Sequence, residues 1–261
     1  MNLIPINTAT LKIPYRDMFR NLPLYCCEKP YPVDENDLCE IAVMSMLVLY
    51  GDRRVLIDTG VGDAIDREFL ANYYFNEEQS LSDALEAVGL TPPDITDVIL
   101  THLHFDHCGG CVVKDPEIRL VFEGATHWIG KAHWEWAHQK NNREEDSYID
   151  EVLNVISKTG NLKFVDEERS GGYEIIPEIS VSFFHGHTRG LMLPFIQDDD
   201  QTHVFAGDLI PTAAHLPLSN IMSFDIDPDL ARQEKQDFLI EAQEKKWQLW
   251  FQHDLETMRG L

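Results

Sequence analysis

The sequence predicts a mixed α/β fold, with β-sheets covered on their outer sides by helices. Three observations predict it. Short apolar runs at residues 98–100, 181–184, 204–206 and 249–251 read as buried strands, and each is followed within two residues by His or Asp. Helical patterns lie between and after these runs, most clearly at residues 229–246. The chain has 261 residues, 44% hydrophobic and 25% charged, which is enough to build a substantial core and excludes disordered or collagen-like classes.

In chain order, the first sixteen residues lack a basic start and a long apolar centre, so no secretory signal is expected. Residues 41–50 form the longest apolar stretch, too short to cross a membrane, and read as a buried strand. Gly51 and Asp52 then make a tight turn into a hairpin partner at 54–58. Residues 80–88 read as a helix, with Ser80 as cap and Gly89 past its end. Strands are expected at 97–100 and 119–122. Residues 132–159 are mostly helical in pattern, with a charged break at 141–146. Strands follow at 179–184 and 203–205, then the helix at 229–246 and a last strand at 247–251. With no linker-like stretch and no repeat, one domain over 1–261 is expected.

The net charge is −24, which repels phosphate backbones and anionic lipid. Nucleic acid and membrane are therefore excluded as partners, and a small neutral or cationic molecule is the expected substrate. Cys26, Cys27, Cys39, Cys108 and Cys111 are odd in number and irregular in spacing, which fits the reduced thiols of a cytoplasmic protein. The apolar stretch 18–25 reads as a loop packed on the core, a pocket wall or the contact of a homodimer. Trp128, Trp134 and Trp136 fit either an acyl pocket or the core.

The strongest chemical signal is His102-Leu103-His104-Phe105-Asp106-His107. Alternation places His102 and His104 on one side of an extended segment, while Asp106 and His107 fall on the following turn and aim at a second point. Imidazole with carboxylate suits zinc, and also iron, manganese or nickel. This segment resembles the His-x-His-x-Asp-His signature of the metallo-β-lactamase superfamily. Four further segments resemble the family's motifs in its order: Asp58-Thr59-Gly60, Gly186-His187-Thr188-Arg189-Gly190, Gly207-Asp208 and Gln252-His253-Asp254. Arg189 stands where the family has Pro, and Leu191 where it has His; neither position is a ligand in the family.

The resemblance implies a four-layer αββα sandwich holding two divalent metal ions, zinc first. His102, His104 and His187 would bind one metal; Asp106, His107 and His253 would bind the other; Asp208 would bridge them. Asp58 would support a ligand histidine from outside. Two such cations acidify a bound water toward a pKa of ~7, and Asp106 would orient it as a catalytic residue. His215, seven residues after Asp208, is expected in a loop facing the metals, where it would touch substrate or protonate a leaving group. His127, His133, His138 and His203 are expected to be surface or structural, and Cys108 a small buried hydrophobe.

Within the family, His104 departs from the flavodiiron type, and too little chain follows His253 for the helical domain of the glyoxalase II type. The expected reaction is hydrolysis of an ester-type bond, a lactone or other carboxylic ester first and an organophosphate ester second. Lactonase members often carry Tyr three residues after the bridging Asp; here that position is Pro211. The rival is a mononuclear iron redox enzyme resembling the persulfide dioxygenases, which His253 in the second-metal position argues against.

Overall fold

The computed structural model describes residues 1–21, 31–139, 143–167 and 172–255. Its strands are β1 (Asn2–Pro14), β2 (Leu38–Tyr50), β3 (Arg53–Ile57), β4 (Asn76–Glu77), β5 (Asp97–Ile99), β6 (Val112–Lys114) and β7 (Ile118–Leu120), then β8 (Thr126–Gly130), β9 (Leu162–Val165), β10 (Tyr173–Ile176), β11 (Ile179–Phe184), β12 (Leu191–Asp198), β13 (Gln201–Phe205) and β14 (Gln248–Trp250). Its helices are α1 (Tyr15–Met18), α2 (Arg67–Ala71), α3 (Leu81–Ala87), α4 (Phe105–Cys108), α5 (Lys131–Ala137), α6 (Asp150–Ile156) and α7 (Pro228–Lys245).

Two sheets form the centre. The first has the order β4-β1-β2-β3-β5-β8-β9, and the second the order β10-β11-β12-β13-β14. Met46, Val48, Ile57 and Ile99 from the first sheet meet Ile179, Val181, Met192 and Phe205 from the second in one buried core. Ile41, Val43 and Leu47 point to the opposite face of β2, into a second core shared with α1, α3, α4 and α6. Leu193, Val204 and Phe251 on the outer side of the second sheet pack against Phe238 and Ala242 of α7. The layers are therefore αββα. Strand β2 is buried on both faces, which is why its sequence is a continuous apolar run rather than an alternation.

The local signals act as read. The β2–β3 hairpin pairs Tyr50 with Arg53 across Gly51, whose φ is +50°. Ser80 Oγ accepts from Asp83 N at 3.0 Å and starts α3. Asp227 Oδ1 accepts from Leu230 N at 3.1 Å and starts α7, which buries Ala231, Lys235, Phe238 and Ala242 on one stripe. The helical reading of 132–159 resolves into α5 and α6.

Several strands carried no such signal, among them β1, β8, β9, β10 and β12. Strand β1 contains Pro5, Thr8 and Thr10, and its register against β2 shifts between Asn7 and Ala9. Thr8 is buried all the same, because its hydroxyl donates to Val43 O at 3.0 Å. Met18, at the end of α1, and Phe19 are both buried, Phe19 packing on the core and Met18 also bordering a cleft; Arg20 and Asn21 are exposed, and residues 22–25, with Cys26 and Cys27, lie outside the described residues. Among the described residues no helix is long and apolar enough to cross a membrane.

Strands β3, β5, β8 and β9 run parallel, as do β13 and β14. The segments bearing Asp58, His102, Asp208 and His253 all leave the C-terminal ends of these strands. That common edge is where open parallel sheets place their sites.

Candidate metal centre

The chain leaving β5 delivers His102, makes its turn through His104 and enters α4 with Asp106 and His107. The turn is held from behind by the loop after β3. Asp58 there has φ +52°, and its buried carboxylate accepts from Thr101 N at 2.8 Å, Thr101 Oγ1 at 2.7 Å and His107 Nδ1 at 3.0 Å. The two loops touch backbone to backbone: a Cβ on Gly110 would lie 2.0 Å from Thr59 O, so only glycine fits after the motif.

The seven expected side chains converge as two sets. His102, His104, His187 and Asp208 offer ligand atoms within 4.8 Å of one another, and Asp106, His107 and His253 do the same. In the first set His102 Nε2 and His104 Nδ1 are 2.9 Å apart, and His187 Nε2 is 3.4 Å from His104 Nδ1. Asp208 spans the two sets, with Oδ2 at 3.1 Å from His187 Nε2 and Oδ1 at 3.1 Å from His253 Nε2. Asp106 Oδ2 is 3.7 Å from both His107 Nε2 and His253 Nε2.

The outer nitrogen of every histidine is held by an acceptor. His104 Nε2 donates to Glu144 Oε2 at 2.8 Å, His107 Nδ1 to Asp58, His187 Nδ1 to Asp225 Oδ1 at 3.1 Å and His253 Nδ1 to Ala42 O at 2.7 Å. His102 Nδ1 is 3.1 Å from Thr101 Oγ1, whose proton is already given to Asp58. Each partner fixes the tautomer that turns the other nitrogen's lone pair inward. The inner atoms are left wanting. His107 Nε2 and Asp208 Oδ1 are buried without a hydrogen-bond partner. Five imidazole lone pairs and two carboxylates facing one point are a donor set that cations satisfy and hydrogen bonds do not. The residues therefore fit a pair of metal ions.

Electrostatics agrees. Burial opposes charge on His187, yet Asp208 and Asp225 push its pKa up to about 10. Burial is likewise outweighed at His107 by Asp106 and Asp208, and at His253 by Asp208, so both are raised. Asp208, despite burial, is held far below the ordinary carboxylate range by His107, His253 and His187. His102, buried and flanked by His107 and His104, is pushed well below its usual value. The carboxylates call positive charge into the centre.

A cleft of about 260 Å³ opens over the two sets. Leu11, Ile13, Met18, Ile41, Met222 and Phe224 form an apolar wall, and Arg143, Glu144, Asp146 and Ser147 a polar one, with Asp106, Asp208 and His253 at the floor.

His215 requires a correction. It does not line this cleft. Thr212 Oγ1 lies 2.8 Å from its Nδ1, Met18 O accepts from its Nε2 at 2.9 Å, and its ring stacks on Phe19 at 4.5 Å. Burial lowers its pKa to about 4, so it is a neutral packing residue with no nitrogen free for a proton transfer. His133 is structural as expected: it accepts from Leu103 N at 2.8 Å and donates to Arg189 O at 2.8 Å, bracing the ligand turn. Cys108 is buried, and burial pushes its thiol pKa up. None of Trp128, Trp134 and Trp136 lines the cleft; Trp136 Nε1 donates to Glu144 Oε1 instead. Leu191, at the departure from the family motif, is a fully buried core residue at the start of β12. Glu144, Asp225 and Thr101 are the supporting residues that sequence reasoning missed. Glu144 sits in a charged run that looks solvent-exposed in one dimension, and Asp225 stands in a mostly apolar segment with no ligand-like spacing to mark it.

Residues 40–247 match the model of the metallo-beta-lactamase superfamily, and the chain belongs to that family. It is 27% identical over 241 residues to the N-acyl homoserine lactonase AiiA of Bacillus thuringiensis subsp. kurstaki, covering 85% of each chain. Among solved structures it resembles a probable metal-dependent hydrolase from Staphylococcus aureus, with 25% identity, a TM-score of 0.89 and coverage of 97% of this chain and 89% of the other. It also shares the fold of AidC, a dizinc quorum-quenching lactonase, at 22% identity and a TM-score of 0.77, over 97% of this chain and 87% of that one.

Proposed function

We propose that this protein is a metal-dependent hydrolase of carboxylic ester bonds, lactones foremost, acting on a small neutral molecule in the cleft. The observation that carries the reading is the partition of seven inward-facing ligands into two sets spanned by Asp208. His102, His104 and His187 would hold one ion, Asp106, His107 and His253 the other, with Asp208 shared; zinc is the ion the donor set suits first. Two divalent ions held there supply Lewis acidity, lowering the pKa of water and polarising a carbonyl oxygen.

The chain's own residues supply the rest. Asp106 is the most exposed carboxylate of the set and lies on the cleft floor, where its Oδ atoms orient the attacking water and accept its proton. The proton then passes to the leaving alkoxide, which in a lactone stays tethered to the acyl product. The apolar wall excludes water from the chain attached to the carbonyl. The net charge of −24 on the chain as a whole disfavours polyanionic substrates such as nucleic acids. Pro211 offers no hydroxyl, and its carbonyl is taken by His253 N at 2.9 Å. The relatives named as lactonases support this reading over a phosphotriester substrate or a mononuclear iron redox reaction.

The test is a substrate panel on Zn²⁺-loaded protein: N-hexanoyl homoserine lactone, simple lactones, aryl esters, a phosphotriester and a persulfide. Ring opening with release of one proton per turnover, fastest on lactones, is expected. Oxygen consumption with the persulfide and no ester turnover would overturn the reading.

A further inference from the structure

Glu144 lies in the connection between α5 and α6 and is 7% exposed. It collects donors from three separate segments. Its Oε2 accepts from His104 Nε2 at 2.8 Å. Its Oε1 accepts from Trp136 Nε1 on α5 and from Thr188 Oγ1 at 2.7 Å. Thr188 directly follows His187, and its hydroxyl also meets Tyr148 OH at 3.1 Å. The same connection supplies Arg143, Asp146 and Ser147 to the polar wall of the cleft.

We propose that Glu144 is a positioning residue that aims His104, anchors the turn carrying His187 and ties the cleft's polar wall to the first ligand set. The proposal rests on the metal-site reading above. The logic is one of valence. His104 presents Nδ1 inward only while its Nε2–H has an acceptor, and Glu144 is that acceptor. His187 is aimed by Asp225, but the turn carrying it is anchored at the next residue by the Thr188–Glu144 hydrogen bond. The second set has its own supports, Asp58 for His107 and Ala42 O for His253. Loss of Glu144 therefore loosens one set and spares the other. A carboxylate serving the fold alone would, on removal, lower stability without favouring either set.

The experiment measures Zn²⁺ binding to metal-free protein by competition with a chromophoric chelator, which resolves two binding steps. In Glu144→Ala one step weakens about 10–100-fold and the other stays within about twofold. Glu144→Gln keeps an amide oxygen for His104 and so weakens that step less than Glu144→Ala. Wild-type affinities at both steps in Glu144→Ala, or equal weakening of both, would overturn the proposal. Should Glu144→Ala prove unfolded by circular dichroism, Glu144→Gln decides alone: wild-type affinity at both steps would refute it. A wild-type chain that takes up no Zn²⁺ would instead refute the metal-site reading.

Discussion

The turn after β5 and the turn after β13 invite comparison. Each follows a short parallel strand, and each contains a buried histidine: His107 is 0% exposed and His215 is 1%. Their burial is the same, and their chemistry is opposite. His107 has one nitrogen bound to Asp58 and the other facing Asp208 without a hydrogen bond. His215 has both nitrogens taken, by Thr212 and by Met18 O. Position seven residues past Asp208 suggested a reactive group, but the backbone carbonyl of α1 closed its valence. What marks the ligand here is an unpartnered nitrogen that faces carboxylates and other imidazoles, with its opposite nitrogen fixed; His127 Nε2 is also buried and unpartnered, with Nδ1 held by Ala125 O, but it belongs to neither ligand set.

The largest effect should come from Asp208, which touches both sets. Asp208→Ala should lose most bound metal and lower turnover at least about 100-fold, while circular dichroism shows the fold retained. Full metal content and full turnover in that variant would break the comparison on the ligand side.

His215→Ala should act in the other currency. It leaves Met18 O and Thr212 Oγ1 unpaired and removes the ring stacked on Phe19, so denaturant unfolding should show a loss of about 2–4 kcal/mol. The enzyme that remains folded should keep its metal and its kcat. A fall in kcat that grows with leaving-group pKa would restore His215 to catalysis.

A smaller effect follows from pH. Burial holds His215 in the folded chain at about 4, below the ordinary value of 6.5. The unfolded chain therefore takes up the proton first as pH falls. The stability that neutral His215 confers is complete above about pH 6.5 and is lost progressively down to about pH 4. The urea midpoint of the wild type should exceed that of His215→Gln at pH 7, and the gap should narrow at pH 5. A gap that widens on acidification would contradict the neutral assignment.

Much of this centre was legible in one dimension because strands and ligands alternate there. His102, His104, Asp106 and His107 fall within six residues, and Asp208 and His253 follow apolar strands closely. The β2–β3 hairpin and the caps of α3 and α7 are likewise local, so their signals lie in adjacent residues. Glu144 was not legible. It stands in the run Arg143-Glu144-Glu145-Asp146, which reads as a solvated break, and its burial depends on Trp136, Thr188 and His104 meeting around it. Strand β1 was hidden because Pro5, Thr8 and Thr10 interrupt its apolar pattern, while its register and the burial of Thr8 are set by pairing with the distant β2. Outer partners of a site come from tertiary contact, and no spacing rule encodes them.

The most direct test of the dinuclear account is the metal content of the purified protein, read by elemental analysis together with the metal positions from anomalous scattering. The account predicts close to two divalent ions per chain, about 3.5–4 Å apart, one among His102, His104 and His187 and one among Asp106, His107 and His253, with Asp208 between them. A single tightly bound iron with Asp106, His107 and His253 left empty would contradict it.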